Sequence, residues 1–200
     1  MGLREAKKRQ TRQAIADKAM ELFATRGFDR VTVAEVAEAA GVSQKTVFNY
    51  FPSKEDLFYD EVPAREAALV AAVRERQPDE SILVALRRQN IANCGRMSSP
   101  RFAAFARIIE ESPALRAKEL EIMAGFTRVL SEALQTELGV EELDARVAAS
   151  LLVGVQWQFF VVARRRALEG RHGAAAERRL RADLERAYEL LEHGLGSLRI

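Results

Sequence analysis

The sequence predicts an all-α fold. Apolar residues recur at three- and four-residue intervals along nearly the whole chain, and no stretch keeps the period-two alternation of a strand. Glycine and proline punctuate it at helix-length intervals. With 200 residues, 48% of them hydrophobic and 30% charged, the chain has room for one large domain or two small ones. It is too apolar for a disordered polymer. No uninterrupted apolar run approaches the ~18 residues that span a bilayer, so no membrane partner is expected.

Taken in order, Thr11 is placed to cap a first helix whose apolar positions are Ile15, Ala19, Leu22 and Phe23, and Gly27 stops it. Thr32 caps a short helix carrying Val33, Val36, Ala37 and Ala40, which ends at Gly41. Ser43 caps a third from Gln44 to about Phe51, and Ser53, with Glu55 and Asp56 in the first turn, starts a fourth. That helix runs towards Arg76, with Pro63 kinking or dividing it. Longer helices follow: Pro78 to about Asn93, Pro100 to Glu111, Pro113 to Leu138, Glu142 to Glu169, and Ala174 to His193. The expected total is about nine.

Charge divides the chain unevenly. Residues 1–54 hold ten basic and six acidic side chains, while the rest carries a slight acidic excess. A basic head suits a polyanion. The stretch from Val33 to Phe48 has the outline of a helix-turn-helix, with small Ala37 where two helices cross, Gly41 for a left-handed turn, and Val36, Val42 and Val47 as a miniature core. Gln44, Lys45, Thr46 and Asn49 then project from the second helix, and all four can hydrogen-bond base edges in a major groove. A merely solvated polar face is the alternative. Around them Thr32, Tyr50, Lys54 and the arm Lys7-Lys8-Arg9 are candidate phosphate contacts.

Residues 11–57 resemble the DNA-binding domain of TetR-type (TetR/AcrR) one-component regulators. The resemblance is carried by Gly41-Val42-Ser43, by Thr46-Val47-Phe48-Asn49-Tyr50-Phe51 and by Pro52-Ser53-Lys54-Glu55-Asp56-Leu57. Many members have glycine where this chain has Lys45 and tyrosine where it has Phe48. Phe48 is therefore kept among the phosphate-facing positions, with the hydroxyl lost. The resemblance implies a helix-turn-helix domain over residues 1–54 and a helical ligand-binding and dimerisation domain over 55–200. It further implies a repressor that binds a palindromic double-stranded operator as a homodimer and is released by a small inducer, without a cofactor.

For the dimer, the stripe Leu180, Leu184, Ala187 and Leu191 and the apolar side of the preceding helix, with Leu151, Val155 and Phe159, suit a four-helix interface. For the inducer, Phe102, Phe105, Met123, Phe126, Trp157 and Phe160 are candidate pocket residues, with Gln156 and Gln158 as polar handles. Few charges fall there, which points to a hydrophobic or weakly polar ligand. A plain core is the alternative for the same residues.

Other classes find little footing. There is no glycine-rich phosphate loop, no His-Glu-x-x-His and no paired nucleophile, so an enzyme is not expected. Cys94 is the sole cysteine and the histidines are His172 and His193, which makes a metal site unexpected too. The basic N-terminus has no apolar segment after it, so a cytoplasmic address is expected. The competing function is a nonspecific, architectural DNA-binding protein without an inducer.

Overall fold

The structure, a computed structural model, describes residues 2–194, with the backbone alone for Leu3. Among the described residues it has no strand and ten α-helices: α1 (Leu3–Arg26), α2 (Val33–Ala39), α3 (Gln44–Tyr50), α4 (Lys54–Phe58), α5 (Val62–Arg74), α6 (Ile82–Met97), α7 (Pro100–Glu111), α8 (Pro113–Leu138), α9 (Glu142–Leu168) and α10 (Ala174–His193). The tenth helix arises because the expected fourth is divided. The break falls at Tyr59–Glu61, and Pro63 sits in the first turn of α5, where a missing N–H costs nothing.

Two helix starts differ from expectation. Thr11 caps nothing, because α1 reaches back to Leu3 through Arg, Glu, Ala, Lys and Gln, all strong helix formers. Pro78 does not open α6 either. It lies inside a turn closed by Glu80 N donating to the Gln77 carbonyl at 3.0 Å, and Ser81 caps the helix instead, its hydroxyl accepting from Val84 N.

Two compact units emerge. The first ends at Val62 and also takes in Arg107–Glu119; the second comprises Pro63–Ala106 and the chain from Leu120 onward. The expected boundary after Lys54 thus falls inside the first unit. The reason is α4, whose Leu57 and Phe58 are buried and belong to the head.

In the first unit α1 packs on α2 and α4, and α2 packs on α3. Phe23, Phe28 and Phe58 form a ring cluster with centroids 4.9–6.2 Å apart. Val36 and Val47 are fully buried between α2 and α3, while Val42 is only half-buried. The turn between them depends on Gly41 at φ 65, with Val42 N returning to the Ala37 carbonyl at 3.0 Å.

In the second unit α10 packs on α6 and α9, and α6 on α9. The buried stripe of α10 is Leu180, Leu184 and Tyr188, so Tyr188 takes the place expected of Ala187. Asp183 ties α10 to α9 through Arg166 and also meets Arg186 at 2.9 Å and Arg179 at 3.5 Å. An 18-residue window of α9 has mean hydropathy 1.4, long and apolar enough by composition to cross a membrane, and 28% of it is buried within the chain. Counting uninterrupted runs misses it, because Ser150, Gly154, Gln156 and Gln158 interrupt the run without lowering the mean much.

Gly41→Ala should cost about 1–2 kcal/mol in urea denaturation, all of it backbone strain, since no heavy atom lies within 4 Å of the added Cβ. Gly41→Asn should lose less, because asparagine tolerates the left-handed region.

Candidate nucleic-acid interface

Side-chain caps fix both helices of the motif. The Thr32 hydroxyl accepts from Glu35 N at 3.3 Å, and the Glu35 carboxylate accepts from Thr32 N at 2.8 Å. That carboxylate also accepts hydrogen bonds from the Thr32 hydroxyl and, at 2.7 Å, from Arg26 on α1. The Thr32 backbone N–H, then Arg26 and the Thr32 hydroxyl, hold the Glu35 carboxyl at about 2. On α3, Ser43 Oγ accepts from Thr46 N at 3.1 Å.

These caps fix one exposed face of α3, polar except for Phe48. Val47 points into the core, and Gln44, Lys45, Phe48 and Asn49 stand on the opposite side of α3, all exposed. Thr46 is half-buried and its hydroxyl is 2.8 Å from Ser43 Oγ, so it is partly engaged in the cap. Phe48 is 46% exposed and has no donor for a phosphate. Tyr50 is half-buried at the end of α3 and faces the N-terminal turns of α1.

Two of the expected phosphate ligands have other partners. Lys54 donates from Nζ to the Phe28 and Val31 carbonyls, both at 3.0 Å, and its ammonium lies 4.1 Å from the centre of the Phe28 ring. One ammonium hydrogen remains. The Thr32 hydroxyl donates its hydrogen bond to Glu35, which leaves it only acceptor capacity.

The α7–α8 corner completes the head. Ser112 Oγ donates to Asp29 at 2.6 Å, the Tyr59 hydroxyl donates to the Leu115 carbonyl at 3.2 Å, and Lys118 lies 3.3 Å from Asp56. Leu115 itself is fully buried.

Inside the second unit, four of the six expected pocket residues form a chain of rings. Phe102 stacks with Phe105 at 6.2 Å and meets Phe160 edge-on at 5.8 Å, while Trp157 lies 5.7 Å from Phe160. Met123 and Phe126 pack against the same core. Sequence reasoning missed two polar groups close by in the same unit. Asn90 donates from Nδ2 to the Tyr188 hydroxyl at 2.7 Å, Gln156 faces that hydroxyl, and the buried Gln156 Nε2 has no hydrogen-bond partner. The signal for Asn90 was its place on the stripe Ile82, Leu86, Asn90, Cys94, where a polar residue interrupts apolar ones. Cys94 is fully buried, and burial pushes its thiol up, which disfavours the thiolate.

Comparisons with known proteins agree with this geometry. Residues 15–60 match the family described as bacterial regulatory proteins, tetR family. The chain is 31% identical over 162 residues to the HTH-type transcriptional regulator TcmR of Streptomyces glaucescens, covering 77% of this chain and 71% of that protein. The chain belongs to the TetR family.

Solved TetR-family structures share the fold. Thermus thermophilus FadR, a TetR-family transcriptional repressor in complex with lauroyl-CoA, aligns at TM-score 0.54 and 26% identity, over 92% of this chain and 94% of that one. A TetR-family regulator from Streptomyces coelicolor aligns at TM-score 0.57 and 24% identity, over 94% and 99%. This TetR-family chain is accordingly a DNA-binding transcriptional regulator and not an enzyme.

The remaining expectations concern the interface between copies. Phe159, Leu180 and Leu184 are buried in the second unit's own core and present no surface, while Val155 and Leu191 are half-buried and Leu151 is 55% exposed. The outward stripe of α9 is Leu143, Val147 and Leu151, one residue per turn, with the first two 71% and 50% exposed.

Lys54→Met should destabilise the chain by about 2 kcal/mol, by loss of two charge-assisted hydrogen bonds partly open to solvent; urea denaturation reads this directly. Glu35→Gln should be destabilising at neutral pH and progressively neutral as pH falls from 4.5 towards 2. A carboxyl held low in the fold contributes only while ionised, so unfolding of both proteins at a series of acid pH values checks the sign.

Proposed function

We propose that this TetR-family regulator is a homodimeric repressor that reads a palindromic operator through α3 and leaves it when a small hydrophobic inducer occupies the second unit. The single observation that carries the DNA reading is the capped α3, with Gln44, Lys45 and Asn49 exposed on one rigid face. Gln44 and Asn49 suit adenine and Lys45 suits guanine. Phe48 on the same face supplies apolar contact to a thymine methyl group. A cytoplasmic location follows from this role.

The dimer is supported by α9. Its stripe Leu143, Val147 and Leu151 leaves large apolar side chains exposed at every turn, and a second copy of the same stripe is a self-complementary cover. Two recognition helices then enter successive major grooves about 34–36 Å apart.

The inducer site is supported by the ring chain Phe102, Phe105, Phe160 and Trp157, beside which Gln156, Asn90 and Tyr188 supply hydrogen bonds. The lauroyl-CoA held by Thermus thermophilus FadR is an example of an apolar chain with a polar end, the chemistry this lining suits. Helices α7 and α8 each have one end in the first unit and the other in the second, so a shift of either helix reaches the Ser112 corner. Ligand and operator must then weaken each other by the same factor.

Selection of bound duplexes from a random DNA pool, without added ligand, should recover one palindrome. Gln44→Ala and Asn49→Ala should each relax preference at particular bases by about 1–3 kcal/mol. Equal loss on every sequence would instead favour the architectural alternative. Leu143→Asp with Leu151→Asp should shift the protein to monomer in sedimentation and remove operator binding. Recovery of dimer by that variant would refute the α9 interface.

A further inference from the structure

We propose that the first turns of α1 and the end of α3 together form a second DNA-backbone site, a cationic cleft that holds phosphates outside the groove read by Gln44 and Asn49. This inference rests on the DNA-binding reading above and extends it to the first turns of α1, which lie outside the α2–α3 motif, together with Tyr50 at the end of α3.

An open cleft of about 510 Å³ is lined by Arg4, Glu5, Lys7, Lys8, Thr11 and Tyr50. Positions 4, 7, 8 and 11 fall on one face of a helix, so the α1 contribution is set by helical spacing rather than by a chance cluster. Arg4, Lys7 and Lys8 are exposed, and among the described residues none of them is engaged by a carboxylate. Three cations against one carboxylate leave the cleft positive. Thr11 and Tyr50 add hydroxyls, the other side-chain type that phosphate oxygens recruit.

Two further features favour duplex DNA as the occupant. Tyr50 follows Asn49 on α3, so a strand whose bases meet Asn49 has its backbone within reach of the cleft. The cations also ride on a continuous 24-residue helix anchored further along by buried Ile15, Ala16, Ala19 and Phe23. A rigid carrier gives up little freedom on binding. The N-terminus of α1 has no side-chain cap, which favours the same charge.

The test uses the full chain and the duplex recovered by selection, with affinity measured across a range of salt concentrations. The triple variant Arg4→Ala, Lys7→Ala, Lys8→Ala should bind the selected and a scrambled duplex more weakly by the same factor. Its dependence of log affinity on log salt should be shallower by about 2–3, close to 0.9 for each phosphate contact removed. Tyr50→Phe should weaken both duplexes by less than tenfold. All positions are exposed or half-buried and alanine is a good helix former, so an unchanged circular dichroism spectrum is expected. An unchanged salt slope in a variant of a binding-competent protein would overturn the proposal while leaving the α3 reading intact. A changed preference between A·T and G·C flanks would overturn it as well, because it would place α1 in a minor groove rather than on the backbone. If the unsubstituted chain favours no duplex, the α3 reading fails first and the cleft falls with it.

Discussion

The Lys54 ammonium, seated under the carbonyls of Phe28 and Val31 and over the Phe28 ring, holds the start of α4 against the turn between α1 and α2. That turn ends one residue before the Thr32 cap of α2, and α2 sets the angle at which α3 leaves Gly41. A long, flexible cation has been converted into a fixed joint. Its removal would loosen the Phe23, Phe28 and Phe58 cluster, the cap and the presentation of α3 together, because each is built on the next.

The head was readable because its determinants are local. A hydroxyl at Thr32, Ser43 or Ser53 meets a backbone N–H three residues on, and Gly41 meets a steric demand of its own peptide unit. Neither needs knowledge of the rest of the chain. The start of α1 was hidden for a related reason. Thr11 has the chemistry of a cap, but capping requires an upstream chain that is not helical, and Leu3–Gln10 consists of helix formers.

Lys54 has a residue type that fits two environments, and only tertiary structure shows which groups it meets. Its place near a helix N-terminus suggests a phosphate ligand, while carbonyls from more than twenty positions upstream take two of its ammonium hydrogens. The same holds for α10, where periodicity places both Ala187 and Tyr188 near the stripe and packing against Asn90 selects the tyrosine. On α9 the apolar spacing announces burial without saying by what. Ala145, Ala149, Leu152 and Val153 face the chain's own core, whereas Leu143, Val147 and Leu151 do not. Spacing identifies faces; it does not name their partners.

The first unit is not one stretch of chain. Asp29, Asp56 and Tyr59 find Ser112, Lys118 and the Leu115 carbonyl on a segment that lies beyond two intervening helices. Heads of this type are therefore not interchangeable cassettes. A hybrid joined after Val62 would carry the reading helix intact but set Asp29 and Asp56 against a foreign corner. The exchangeable piece is discontinuous: it includes Arg107–Glu119, although some fifty positions separate that segment from Tyr59.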